Sequence, residues 1–101
     1  MPRYKLTIEY DGRPFAGWQR QADQPSVQGA LEDACAKLDG APVAVYGAGR
    51  TDARVHATGQ VAHINLQKPR TADKVMDAVN YHLQPNPIAI IASDTVDDEF
   101  H

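Results

Sequence analysis

The chain has 101 residues, 43% hydrophobic and 23% charged, the balance of an ordinary globular domain and too apolar for intrinsic disorder. No apolar run reaches the roughly 20 residues of a membrane helix, and the N-terminus lacks a signal-peptide pattern. A single cysteine, Cys35, excludes an intrachain disulfide, so the plain reading is one cytoplasmic domain with no membrane partner. The formal net charge of −3 argues mildly against nucleic acid as a partner, because phosphate backbones favour basic surfaces. That charge is uneven, however. Asp94, Asp97, Asp98 and Glu99 crowd the last eight residues, and without them ten basic residues face nine acidic ones. Four of the six arginines (Arg13, Arg20, Arg50 and Arg54) fall in two segments that read as loops, which leaves room for a local basic site.

Tyr4, Leu6, Ile8 and Tyr10 alternate with Lys5, Thr7 and Glu9, the period of a half-buried strand. Asp11-Gly12 breaks it and a long polar loop follows. Ser26 is placed to cap a helix whose apolar stripe is Val27, Ala30, Leu31, Ala34 and Leu38. Asp39-Gly40 stops that helix, and Pro42 keeps it from continuing. Residues 43–46 form a short β-rich run, and a second loop runs from Gly47 to about Thr58. Residues 59–66 read as a strand with Ala62, Ile64 and Leu66 on one face and Val61, His63 and Asn65 on the other. Thr71 can cap a second helix with the stripe Ala72, Val75, Met76, Val79 and Leu83, stopped by Pro85 and Pro87. The unbroken apolar run 88–92 predicts a buried central strand, followed by an acidic, solvated tail. The order β-α-β-β-α-β predicts a ferredoxin-like α/β (α+β) fold: one antiparallel sheet with both helices on one face.

Two segments hold residues suited to chemistry. Residues 47–57, Gly-Ala-Gly-Arg-Thr-Asp-Ala-Arg-Val-His-Ala, are too long and too charged for a simple hairpin turn. Arg50 beside Asp52 would keep the carboxylate ionised, fit to act as nucleophile or general base, and a guanidinium can also hold a phosphate through paired donors. The alternative is a solvated turn with a surface ion pair of little energetic weight. Residues 10–21 interleave Phe15 and Trp18 with Arg13, Gln19, Arg20 and Gln21. There the rings can stack on bases, the arginines contact phosphates and the amides read base edges. The alternative is that Phe15 and Trp18 fold back and cap the core. His56, His63, His82 and His101 show no paired ligand spacing, so no metal site is expected.

These two segments resemble the tRNA pseudouridine synthase A family. Gly-Arg-Thr-Asp-Ala-x-Val-His-Ala, at 49–57, is similar to that family's catalytic loop. Tyr-Asp-Gly-x-x-Phe-x-Gly-Trp-Gln-x-Gln, at 10–21, is similar to its N-terminal motif. Ser26-Val27-Gln28 follows at the family's spacing, and residues 98–101 resemble the start of a later Phe-His-Ala-Arg stretch, so the likeness covers essentially the whole chain. The resemblance implies isomerisation of uridine to pseudouridine in the anticodon stem-loop of tRNA, with no metal or organic cofactor. It implies Asp52 as the catalytic carboxylate and Arg50 as a phosphate ligand that helps displace the target base, which must leave the stack to be reached. Thr51 and His56 join Arg50, and Phe15, Trp18, Gln19, Arg20 and Gln21, as candidate RNA-binding residues. Asp52 would attack C1′ of the ribose or remove a ribose proton to give a glycal, and both routes stay open.

Two departures matter. Arg54 stands where the family pattern has glycine, and would strain the loop if that position needs a positive φ. Family members are more than twice this length, with two related domains, a homodimer and further active-site residues downstream. The chain is therefore expected to be the N-terminal, catalytic-loop half of a two-domain synthase, folded but weak or inert alone, with apolar sheet or edge surface left bare. The competing reading is a non-catalytic RNA-binding module of RRM-like topology, which should carry stacking aromatics on its strands.

Overall fold

The computed structural model describes residues 1–15, 17–18, 25–47, 57–97 and 99. Its elements are β1 (Arg3–Tyr10), α1 (Val27–Asp39), β2 (Tyr46–Gly47), β3 (Ala57–Asn65), α2 (Ala72–Leu83) and β4 (Ile88–Val96). The four strands form one antiparallel sheet in the order β2-β3-β1-β4, with both helices on one face, the ferredoxin-like arrangement that the element order implied. Alternation in β1 does the sorting. Tyr4, Leu6, Ile8 and Tyr10 are buried toward the helices, joined there by Ala62, Ile64, Ile88 and Ile90 from the neighbouring strands and by Val27, Leu31, Ala34, Cys35, Val75, Val79 and Leu83 from α1 and α2. Arg3, Lys5, Thr7 and Glu9 point to the other face.

Both helices begin at a side-chain cap. In α1, Ser26 Oγ accepts from Gly29 N, Ser26 O accepts from Ala30 N, and Gly17 O and Trp18 O accept from Val27 N and Gln28 N. In α2, Thr71 Oγ1 and Thr71 O accept from Lys74 N and Val75 N. At the C-terminus of α1, Gly40 N donates to Ala36 O. The buried ring of Tyr4 ties β1 to the entry of α2, because its hydroxyl donates to Arg70 O (2.8 Å) and accepts from Arg70 N (2.7 Å).

Three details differ from the sequence expectation. The run 43–46 is a strand only at its end, because both backbone groups of Val45 are taken by side chains of α1: Val45 N donates to Glu32 Oε2 and Gln28 Nε2 donates to Val45 O, each at 3.0 Å. β4 is an edge strand and not a central one, pairing with β1 alone among the described residues. It also runs on through Asp94 to Val96, so part of the expected acidic tail belongs to the sheet. The pairing of β1 shifts by one residue on both sides of Ile8. Gly59, with φ +83°, is the extra residue in β3, and Ile91, 47% exposed, is the extra residue in β4.

The outer edge of β4 is blunted at this bulge. Asn80 of α2 accepts from Ile90 N at 2.7 Å and donates through Nδ2 to Ile90 O at 3.0 Å, mimicking one step of a missing strand. Asn80→Ala leaves both groups of Ile90 without a partner. It should lower the unfolding free energy by about 1–3 kcal/mol, read from urea denaturation. A loss below a few tenths would mean that water replaces the amide there.

Cys35 is fully buried. Desolvation pushes its thiol up to about 12 from an ordinary value near 9, with smaller contributions from Glu32 and Asp39. Below about 9 the thiol is protonated in both the folded and the unfolded chain, and this contribution to stability is fully present. Above 9 the unfolded chain loses a proton that the folded chain keeps, so stability falls as pH rises toward 12, by up to ~1.4 kcal/mol per unit. The urea midpoint should therefore drop between about pH 9 and pH 11, and Cys35→Ala should flatten that slope whatever it does to absolute stability. Equal slopes in the two proteins would refute the assignment.

Candidate active site

The two motif segments, far apart in sequence, meet in space. After β1 the chain turns at Asp11 and Gly12. There the Asp11 carboxylate accepts from both the backbone and the guanidinium of Arg13, and this exposed pair holds Arg13 further toward its charged form, first through the hydrogen bond and then through charge attraction. Asp11 N donates to Pro87 O, which fixes the turn against the start of β4. Phe15 and Trp18 then return to the core at 5% and 3% exposure, with Trp18 centred 6.2 Å from the ring of Tyr10. Of the two readings open for these rings, the geometry shows the core-capping one. As RNA-stacking residues Phe15 and Trp18 are corrected, because a buried ring has no free face to offer a base.

Trp18 nonetheless acts on the site, through Gly47. The indole lies so close to the Gly47 backbone that a Cβ there would sit 2.6 Å from Nε1 and 2.7 Å from Cε2. Only glycine allows that approach without displacement. Gly47 is the last residue of β2, and the segment 48–56 starts directly after it. At the other end of that segment, Ala57 pairs with Tyr10, the first residue of the N-terminal motif. The connection between β2 and β3 is therefore closed at both ends by the same motif, with Trp18 under one end and Tyr10 beside the other. Upstream, Gln28 and Glu32 clamp Val45 to α1 and fix the approach to β2. These two side chains lie four residues apart on one helix face. Gln28 was visible as part of a motif, but neither residue was legible as a positioning group, because the partner is a backbone and not a side chain.

Arg50, Thr51, Asp52, Arg54 and His56 lie outside the described residues, as do Gln19, Arg20 and Gln21. The described part of the site is thus its frame. Among the described residues no cluster of three or more histidine, cysteine, aspartate or glutamate side chains is gathered as a metal ion would need.

The connection between β2 and β3 of this ferredoxin-like sheet carries the sequence Gly-Arg-Thr-Asp. Residues 6–101 match the family model described as tRNA pseudouridine synthase, and the chain belongs to that family. It is similar to the tRNA pseudouridine synthases A of Maricaulis maris (65% identical over all of this chain), Rhodopseudomonas palustris (63% over 99% of it) and Paramagnetospirillum magneticum (58% over all of it). The chain spans 41%, 40% and 40% of the lengths of these relatives.

The Trp18–Gly47 contact gives a direct test, because the protein has one tryptophan. Gly47→Val forces the buried indole to move. It should cost about 1–3 kcal/mol by overpacking and shift the tryptophan emission to the red. Unchanged emission and stability would mean that the β2 end is not held by this contact.

Proposed function

We propose that this chain is the N-terminal, catalytic half of a two-domain tRNA pseudouridine synthase that isomerises uridine in the anticodon stem-loop, with Asp52 as the essential carboxylate. The observation that carries this reading is the convergence of both motifs on the connection that holds Asp52, in a chain belonging to this family. The reaction is redox-neutral. The bond from uracil N1 to ribose C1′ breaks, C1′ bonds to C5, the C5 proton leaves to solvent and N1 regains a proton, so no electron carrier is required. Asp52 either attacks C1′ or removes a ribose proton, and each role needs the ionised form, which a guanidinium such as that of Arg50 favours. Arg50, Thr51, His56, Gln19, Arg20 and Gln21 are the proposed RNA contacts. We further propose that the whole protein acts in the cytoplasm as a homodimer. The RRM-like, non-catalytic alternative has one observation on its side: Tyr46, on a sheet strand, is 51% exposed.

Tritium release from tRNA labelled at uridine C5 separates the two. In a chimera carrying this chain in place of the matching segment of the Maricaulis maris relative, release should be measurable, and Asp52→Ala should abolish it while leaving tRNA binding intact. Undiminished release from the Asp52→Ala chimera would sink the catalytic assignment. The isolated chain should release little or none. If residue 54 needs a positive φ, Arg54→Gly should raise release by the chimera.

A further inference from the structure

The sheet face turned away from the helices carries a feature that the proposed chemistry does not use. Tyr46 and His63, directly paired across β2 and β3, stack with ring centroids 4.9 Å apart and planes 19° from parallel. Tyr46 is half exposed. One side of its ring rests on the imidazole, and its hydroxyl makes no hydrogen bond among the described residues. Continuing across the sheet, His63 pairs with Lys5, and Lys5 pairs with Asp94 on the far edge. Among the described residues, the cation in register with the two rings is therefore Lys5. Strands lie about 4.8 Å apart, which puts Lys5 roughly 10 Å from Tyr46, the reach of a lysine side chain to the phosphate of a nucleotide resting on the ring. One pair along, Arg3 Nε donates to Asn65 Oδ1 at 2.9 Å, holding an amide on the same face.

A stacked cross-strand pair stabilises a sheet by about 0.2–1 kcal/mol, which accounts for the contact with His63 but not for the half of the ring left to solvent. The backbone on either side of Tyr46 is also held in place. Gly47, its neighbour, is pinned from the opposite face by Trp18, and Val45 on its other side is clamped by Gln28 and Glu32. A half-exposed aromatic ring backed by a second ring, with a cation a phosphate's reach away, is the equipment of a single-strand stacking site. Duplex RNA would present no base face to it.

We infer that Tyr46, backed by His63 and flanked by Lys5, is a platform on which an unpaired nucleobase of the substrate RNA stacks. This rests on the proposed action on RNA and adds a binding residue to it. The platform leads directly into the β2–β3 connection, so a base held there positions the strand relative to the segment carrying Asp52.

The test uses this 101-residue chain and an anticodon stem-loop RNA with 2-aminopurine at single loop positions, titrated at 50 and 200 mM salt. For at least one position, binding should quench the fluorophore. Tyr46→Ala should weaken binding between about 5-fold and 150-fold, by nearly the same factor at both salts, and abolish the quench. Tyr46→Phe should retain both, whereas Lys5→Gln should chiefly flatten the salt dependence. Circular dichroism guards against unfolding, and a cross-strand pair with a merely structural role would change stability in Tyr46→Ala without changing affinity. Unchanged affinity in Tyr46→Ala overturns the platform while leaving the catalytic reading intact. No binding by the wild-type chain also overturns it as a site of this domain. The catalytic reading stands or falls separately, on tritium release in the chimera.

Discussion

Trp18 can lie on the backbone of β2 only because no side chain projects from Gly47, and much of the site's frame depends on that approach. The indole fills the end of the core beside Tyr10. The backbone carbonyls of Trp18 and Gly17 accept the first amides of α1. One residue thus caps the core, closes the helix N-terminus and supports the strand from which the Asp52 segment departs. A larger residue at 47 would have to move all three, because a buried indole has no soft direction in which to yield.

The second support comes from α1. Val45 gives up its ladder partners and spends both backbone groups on Gln28 and Glu32. Buried backbone groups must pair with something, and here the choice of partner has a mechanical result. A two-residue strand is a weak anchor alone, while a strand entry bound to a helix moves only if the helix does. Asn80 serves the opposite edge in the same manner, binding Ile90 where a further strand would otherwise pair.

Much of this was legible in the residues. Alternation in β1, the caps Ser26 and Thr71, and the apolar stripes of both helices predicted elements that the structure reproduces to within a residue or two, because local chemistry decides them. Three expectations failed where distant partners decide. The run 43–46 looks β-rich, but its strand was shortened by helix side chains 13 and 17 positions away. The apolar run 88–92 looked like a central strand because its outward positions Ala89, Ile91 and Ala92 are as apolar as the inward Ile88 and Ile90, so no alternation shows in the sequence. Phe15 and Trp18 carry the composition of an RNA surface yet are core, and composition alone cannot separate those uses. Tyr46 was passed over because nothing in its neighbours signals that it faces solvent beside His63.

The paired bulges also bear on how this sequence can drift. Gly59 and Ile91 are inserted on either side of the same residue of β1, and each reverses the facing of every position beyond it. Loss of Ile91 from β4 would turn Ile88 and Ile90 through to the other side of the sheet. A change of one residue in the length of either strand therefore reverses a face, whereas a change of two preserves it.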